Sequence, residues 1–257
     1  MSGPGFMAGW IRPAWPAPGN VRAVCTTRTG GCSDGPWSSL NLGEHCGDDP
    51  EHVRRNRERL SERLPAPPQW LRQVHGIAVA RHAGGPPGQA GAAPEADALV
   101  AFAPGRVCAD LTADCLPVLF CDRAASRVAV AHAGWRGLAG GVLEATVRAL
   151  ETDPADLLAW LGPAIGPTVY EVGAEVAAAF RTSLGADFPA AFTPRGDRWL
   201  LDLYAAARLK LAAAGLRDVR GGGLCTYSDP ARFFSHRRDG VSGRQASLIW
   251  LEAPIGA

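Results

Sequence analysis

Lysine is almost absent from this chain: of 26 basic residues only Lys210 is a lysine. A phosphate loop of the GxxxxGK[ST] kind is excluded, and so is a Schiff-base lysine anywhere but position 210. Nucleic acid is an equally poor partner, because 25 acidic residues balance the basic ones and no basic stripe with interleaved aromatics occurs. No segment is long and apolar enough to cross a bilayer. The opening MSGPGFMAGWIRPAWPAPGN places Pro and Gly where a secretory signal needs a cationic end and an unbroken apolar run. A soluble cytoplasmic protein with no membrane partner is expected. CxxC pairs are missing as well. Seven cysteines are an odd number, and a chain of this size and apolarity needs no disulfide staples, so reduced thiols are expected and any special cysteine is a chemical one.

What is present is 257 residues, 47% of them hydrophobic, enough to bury one sizeable core undivided. One domain over residues 1–257 is expected, with 1–20 as an irregular N-terminal segment. VRAVCTTR (21–28) reads as a strand entering a long Gly-, Ser- and Asn-rich loop, TGGCSDGPWSSLNLGEHCG, of a length that usually carries function. DDPEHVRRNRERLSERL then offers Asp49 as N-cap, Pro50 at the first helical position, and Val53, Leu60 and Leu64 at near-helical spacing: a surface helix with a solvated charged face. QWLRQV and IAVARH read as strands joined at His75-Gly76, and residues 83–97 as a loop. ADALVAF, VCADL, LPVLFCD and RVAVAHA suggest adjacent buried strands. GLAGGVLEATVRALE, GAEVAAAFRTSL and LYAAARLKLAAAG read as helices, LLAWLGPAIG as a strand into a turn, and QASLIWL as the closing strand. Clustered strands followed by helix-strand alternation, without a regular βαβ series, predict an α/β (α+β-like) fold of mixed sheets flanked by helices in layers.

Three side chains stand where an apolar strand meets a turn: His75 in QVHGI, Cys115 in ADCLP and His132 in VAHAGWRG. A rigid sheet holds such a side chain while leaving it free to face a cleft. Imidazole and thiolate are natural zinc ligands, and three protein ligands leave a fourth position for water or substrate. The spacings of 40 (75 to 115) and 17 (115 to 132) residues match no short metal-ligand motif. Cysteine is also among the most buried residue types, and Cys25, Cys108 and Cys121 read as core. His45, His52 and His82 have no constellation around them. GWRGLAGG opens a helix, either as an anion-attracting N-terminus or as ordinary helix entry by glycine. Arg28, Arg136, Arg237 and Arg238 are the strongest anion contacts, guanidinium being matched to phosphate.

With TTRTGGCSDGPWSSLNLG, QVHG, ADALV, TADCLPVLF, AHAGWRGLAGGV, LGPAIGP and CTYSDPARFFSHRRDGVSGRQASLIWL in this order, the chain resembles the laccase-domain family. Its bacterial members are called purine nucleoside phosphorylases or, in older usage, multicopper polyphenol oxidases. The likeness runs from Val21 to Leu251. It implies a single laccase-like domain, similar in fold to bacterial toxin deamidases, with a Zn²⁺ site on His75, Cys115 and His132 that could take copper adventitiously. It also implies phosphorolysis of adenosine, inosine, guanosine and methylthioadenosine, and deamination of adenosine, with purine nucleosides and phosphate as partners. By motif position Arg28 falls among the phosphate or substrate contacts, followed by Asn41, Gln73 and Arg238. Ser228 and His236 stand where relatives commonly carry Cys and Tyr; neither touches the implied ligands.

The residues constrain the chemistry further. A four-copper oxidase needs on the order of ten histidines, imidazole being the main copper ligand, and this chain has six. Deamination at an open zinc site needs a proton shuttle, for which Asp114 is the candidate, although a residue beside a ligand can equally be a turn acceptor. Phosphorolysis needs phosphate held near C1′ and help for the departing base. Two other readings stay open: Cys115 as nucleophile of an amide hydrolase acting on peptidoglycan precursors, to whose editing related bacterial proteins are linked, and a non-enzymatic zinc-binding module. Monomer and homodimer are equally compatible with the sequence.

Overall fold

The computed structural model describes residues 9–82, 84 and 93–253. Twelve strands among them form three sheets. Six strands build the largest: β2 (Val79–Arg81), β3 (Ala98–Ala101), β5 (Leu116–Asp122), β6 (Val128–Ala133), β7 (Leu157–Leu161) and β11 (Asp218–Gly221), in the order β11-β7-β5-β6-β3-β2. β1 (Val21–Cys25), β12 (Gln245–Leu251) and β4 (Cys108–Thr112) pair antiparallel in a second sheet. The third is small: β8 (Glu171–Val172), β10 (Arg198–Leu201) and β9 (Phe192–Arg195). In the large sheet β2-β3 and β11-β7 run parallel and the other pairs antiparallel, so the mixed sheets expected from the sequence are borne out.

Every residue of β5 and β6 is buried, which is why these segments read as unbroken apolar runs rather than alternating ones. One face of the large sheet, with Leu116, Val118 and Phe120, packs on α3 (Val142–Ala149) and α5 (Leu203–Ala213) through Leu143, Val147, Ala207 and Leu211. Its opposite face, with Leu119, Cys121 and Val130, meets Val21, Cys25, Cys108 and Ile249 of the second sheet. That sheet is covered in turn by Leu40 and Leu42 of the long loop and Leu60 of α1 (Pro50–Ser61). The remaining helices are α2 (Trp135–Gly140), α4 (Ala174–Leu184) and the short α6 (His236–Asp239). None of the described helices is long and apolar enough to cross a membrane.

Several expectations need correction. QWLRQV is not a strand: Gln69 N–H bonds Val107 O and Arg72 N–H bonds Pro94 O, so the segment passes between two partners and makes single bridges. GLAGGVLEATVRALE is two helices, because Gly141 adopts φ 104°, the left-handed region that ends α2 before α3 begins. α1 stops at Ser61, short of Leu64; its charged face is solvated as expected, with Arg54 and Arg55 pairing to Glu51 and Arg54 to Glu58. Of the irregular N-terminal segment, residues 1–8 lie outside the described residues. Residues 9–20 have little regular structure yet are anchored: Trp10 is buried, and Ile11 exchanges two 2.8 Å backbone hydrogen bonds with Cys25. Most of the 83–97 loop also lies outside the described residues.

The long loop after β1 is pinned by close backbone approach. A Cβ on Gly31 would lie 2.0 Å from Ser39 O and 2.4 Å from Leu40 Cα, both main chain and unable to swing aside. Gly31→Ala is expected to destabilise the fold by at least about 2 kcal/mol in urea denaturation; unchanged stability would show that the loop yields freely.

Candidate metal centre and active site

The centre is organised by a carboxylate that is not itself a ligand candidate. Asp97, fully buried just before β3, accepts backbone N–H bonds from Val74 (3.2 Å), His75 (2.8 Å) and Gly76 (2.7 Å), and a fourth bond from His132 Nδ1 (2.9 Å). Three successive amides wrapped around one anion form a nest. It holds His75 in a left-handed conformation, φ 60°, that a non-glycine residue adopts only when its surroundings fix it. Burial works against ionisation of Asp97, but the His132 hydrogen bond and the amides of Gly76 and Val74 overcome it and hold the carboxyl below its usual range. With Nδ1 occupied, His132 on β6 presents Nε2 to the centre.

Cys115 enters from the turn between β4 and β5, where Asp114 has φ 91°. Its Sγ lies 3.9 Å from His75 Nε2, and the two imidazole rings stand edge to face with centroids 4.8 Å apart. One donor atom from each of His75, Cys115 and His132 fits within a mutual 4.8 Å. Gly134, after β6, makes room: a Cβ there would come within 2.9 Å of both the Cys115 sulfur and His75 Cδ2. His75 is exposed, Cys115 half-buried and His132 buried, so the cluster has one face toward solvent. Two imidazoles and a thiol, with one imidazole oriented through a carboxylate, fit a single divalent ion with an open coordination position. Among the described residues this is the sole His, Cys, Asp and Glu group able to hold a metal, so the side chains do not fit a multi-copper centre.

Burial opposes ionisation of the Cys115 thiol, yet His132 and His75 outweigh it and bring it down to about 6 in the metal-free protein. Burial likewise disfavours the His132 imidazolium, but Cys115 and Asp97 raise it well above the ordinary histidine value. The metal-free pair is thus thiolate beside imidazolium. The core thiols behave oppositely, burial pushing Cys25 and Cys121 up to about 12.

The other expected site residues fall into two groups. Asp114 is nearly buried and both its oxygens are committed, Oδ1 to Thr226 Oγ1 (2.7 Å) and Oδ2 to the Arg237 N–H (2.6 Å), which ties the 225–239 segment to the Cys115 turn. Asn41 is fully buried, bonds Gly43 and Asp48 within the long loop, and accepts from Arg244 N–H, just before β12. Gln73 lies close to the centre but turns inward: Nε2 donates to Asp110 Oδ1 and Leu111 O, and Oε1 accepts from Leu111 N–H. Arg28 donates to the carbonyls of Ser38 and Pro230 and stacks 4.8 Å from the Phe234 ring. Arg238 donates to Thr226, Tyr227 and Phe233 carbonyls and pairs with Asp239. Arg136, in contrast, is exposed at the start of α2, two residues from Gly134.

Three participants were not legible in the sequence. Asp97 is one. Asp110 is buried on β4 with Oδ2 unpartnered among the described residues, and burial pushes it up to about 7 against the pull of His132. Tyr170 is buried close enough for Cys115, Arg237, Asp114 and Arg136 to act on its hydroxyl.

A layered α/β protein with one buried-carboxylate-supported N,S,N centre is the class that fold and site define. Residues 22–252 match the family described as "Multi-copper polyphenol oxidoreductase laccase", and the chain belongs to this family. Among its relatives, a Pseudomonas aeruginosa protein named purine nucleoside phosphorylase is 52% identical over 96% of this chain and 100% of its own length. The Escherichia coli purine nucleoside phosphorylase YfiH is 52% identical over 95% of this chain and 100% of its own. Among solved structures, a Neisseria meningitidis protein of family DUF152 superposes with a TM-score of 0.91 at 48% identity, covering 95% of this chain and 100% of that one. YlmD from Geobacillus stearothermophilus follows at 0.87 and 38% identity, covering 95% and 97%.

Two measurements check the centre. Asp97→Asn replaces an acceptor edge of the nest by a donor and is expected to weaken metal binding about 10- to 100-fold in competition with a chromophoric chelator; unchanged affinity would contradict the role given to Asp97. In metal-depleted protein, iodoacetamide labelling of Cys115 is expected to rise with pH around a midpoint near 6, since thiolate forms above the lowered value. Cys25 and Cys121 stay unlabelled at pH 8, and a Cys115 midpoint near 9 would contradict the thiolate-imidazolium pair.

Proposed function

We propose that the chain is a cytoplasmic purine nucleoside phosphorylase whose His75, Cys115 and His132 hold one zinc ion. Its substrates are adenosine, inosine, guanosine and methylthioadenosine, and it also deaminates adenosine. The observation that carries the reading is the N,S,N cluster: three donors supported from behind by Asp97 and open on the His75 side, as catalytic rather than closed structural zinc sites are. The names of relatives 52% identical over nearly the whole chain support the substrate class. Zinc, when bound, supplies Lewis acidity and positive charge at this open face.

In phosphorolysis a phosphate oxygen bonds to C1′ of the ribose while the C1′–N9 bond breaks, its electron pair leaving with the purine, which takes up a proton. The chain's own residues orient this reaction. Asp114 holds the 225–239 segment against the Cys115 turn, and with both oxygens accepting hydrogen bonds it acts as a positioning group rather than a proton carrier. Val74 and Ile77, two of the three exposed large hydrophobic residues described, flank His75 and offer an apolar rim to a purine.

Purified protein of measured metal content, given inosine, is expected to release hypoxanthine and ribose 1-phosphate only when phosphate is present, and to convert adenosine to inosine without it. Cys115→Ala and His132→Ala are each expected to lose zinc and to lower phosphorolysis at least about 100-fold; retention of both metal and turnover would defeat the assignment. One observation favours a second reading, a cysteine-dependent amide hydrolase: the Cys115 thiol sits between two imidazoles and is brought down to about 6. For that enzyme a thiol-alkylating reagent abolishes activity and a chelator does not.

A further inference from the structure

Two exposed arginines beside the centre, Arg136 and Arg237, have no carboxylate partner among the described residues. Arg136 lies two residues beyond Gly134, which abuts both the Cys115 sulfur and the His75 ring. Arg237 is anchored by its own N–H on Asp114, donates Nη1 to Glu171 O (2.7 Å), and places its guanidinium 5.1 Å from the centroid of Tyr170. Tyr170 is held toward the same spot: Ile165 N–H bonds Asp114 O (3.0 Å), and Tyr170 N–H closes the next turn on Gly166 O (3.2 Å). Tyr170 is 9% exposed, and its hydroxyl is not one of the buried polar atoms left without a partner, so the oxygen reaches the solvent side of the site.

We propose that Arg136, Tyr170 and Arg237 form the phosphate-binding wall of the site. Guanidinium groups without carboxylates of their own are free to take a phosphate dianion in bidentate fashion, and a phenol adds a neutral donor. Arg28 and Arg238 are more engaged: Arg28 gives Nε and Nη1 to the carbonyls of Ser38 and Pro230, and Arg238 donates to three carbonyls and pairs with Asp239. Burial, reinforced by the nearby Cys115 charge, raises the Tyr170 phenol above its ordinary value, so it stays a protonated donor across the physiological range. As the site of the attacking co-substrate, the assignment rests on the phosphorolysis reading; as an anion site it is testable separately.

The test is titration calorimetry of inorganic phosphate into the metal-loaded protein, alongside steady-state kinetics with phosphate varied. Tyr170→Phe, which deletes a single oxygen, and Arg136→Gln and Arg237→Gln are each expected to raise the phosphate Kd and KM about tenfold, the loss of one charge-assisted hydrogen bond. The nucleoside KM should stay within about twofold, and thermal melting establishes that each variant is folded. Phosphate binding that is lost in the variants while the wild type cleaves no nucleoside upholds the wall and contradicts phosphorolysis. Phosphate-dependent turnover with an unchanged phosphate KM in all three variants upholds phosphorolysis and overturns the wall, as does a wild-type protein that binds no phosphate.

Discussion

The Asp97 carboxylate and its four N–H donors are the constraint on which the rest of the centre depends. A buried carboxylate is costly unless its oxygens are satisfied, and here the donors come from a loop and from β6, so satisfying the anion fixes two ligand candidates at once. The loop amides put His75 in its left-handed conformation, and the ring bond selects the His132 nitrogen that faces inward. Asp97 is also tied by its main chain, its carbonyl accepting from His132 N–H at 2.7 Å and its N–H donating to Ala78 O at 3.0 Å. One residue thereby joins β3, β6 and the 74–78 segment.

Around this anchor the layers divide the labour. The large sheet is buried on both faces, against helices on one side and the second sheet on the other, leaving its strand ends as the places where polar side chains collect. Cys115 arrives at such an end, and Asp114 beside it recruits the 225–239 segment by accepting from Thr226 and Arg237. The long loop after β1 closes over the second sheet and is stiffened from within by Asn41 and from α1 by Asn56, which donates to Ser33 and to the carbonyls of Ser39 and Asn41. The arginines of that loop and of the 225–239 segment divide accordingly: Arg28 and Arg238 donate to backbone carbonyls as staples, whereas Arg237 stays exposed with no carboxylate partner among the described residues.

What could be read from the sequence follows from how each element is stabilised. β3 to β6 and β12 are legible because two-sided burial demands unbroken apolar runs. β8, β9 and β10 are not, being two to four residues long and largely exposed or half-buried. QWLRQV has strand composition but no single partner, a tertiary fact no local pattern encodes. His75, Cys115 and His132 stand out as rare chemical residues at strand-turn junctions, but spacings set by the fold rather than by one motif left family likeness to join them. Asp97 and Asp110 were hidden because an acid opening or interrupting an apolar strand reads as its polar edge. Gln73 and Asn41 entered only through family likeness, as substrate contacts, and the direction they face, inward to Leu111 and Gly43, was not legible.

The most direct measurement is X-ray absorption at the zinc edge of the metal-loaded protein. The account predicts one sulfur at about 2.3 Å, two imidazole nitrogens at about 2.0–2.1 Å and one further light scatterer from an exchangeable ligand. A shell without sulfur, or one filled by four protein donors, would contradict it.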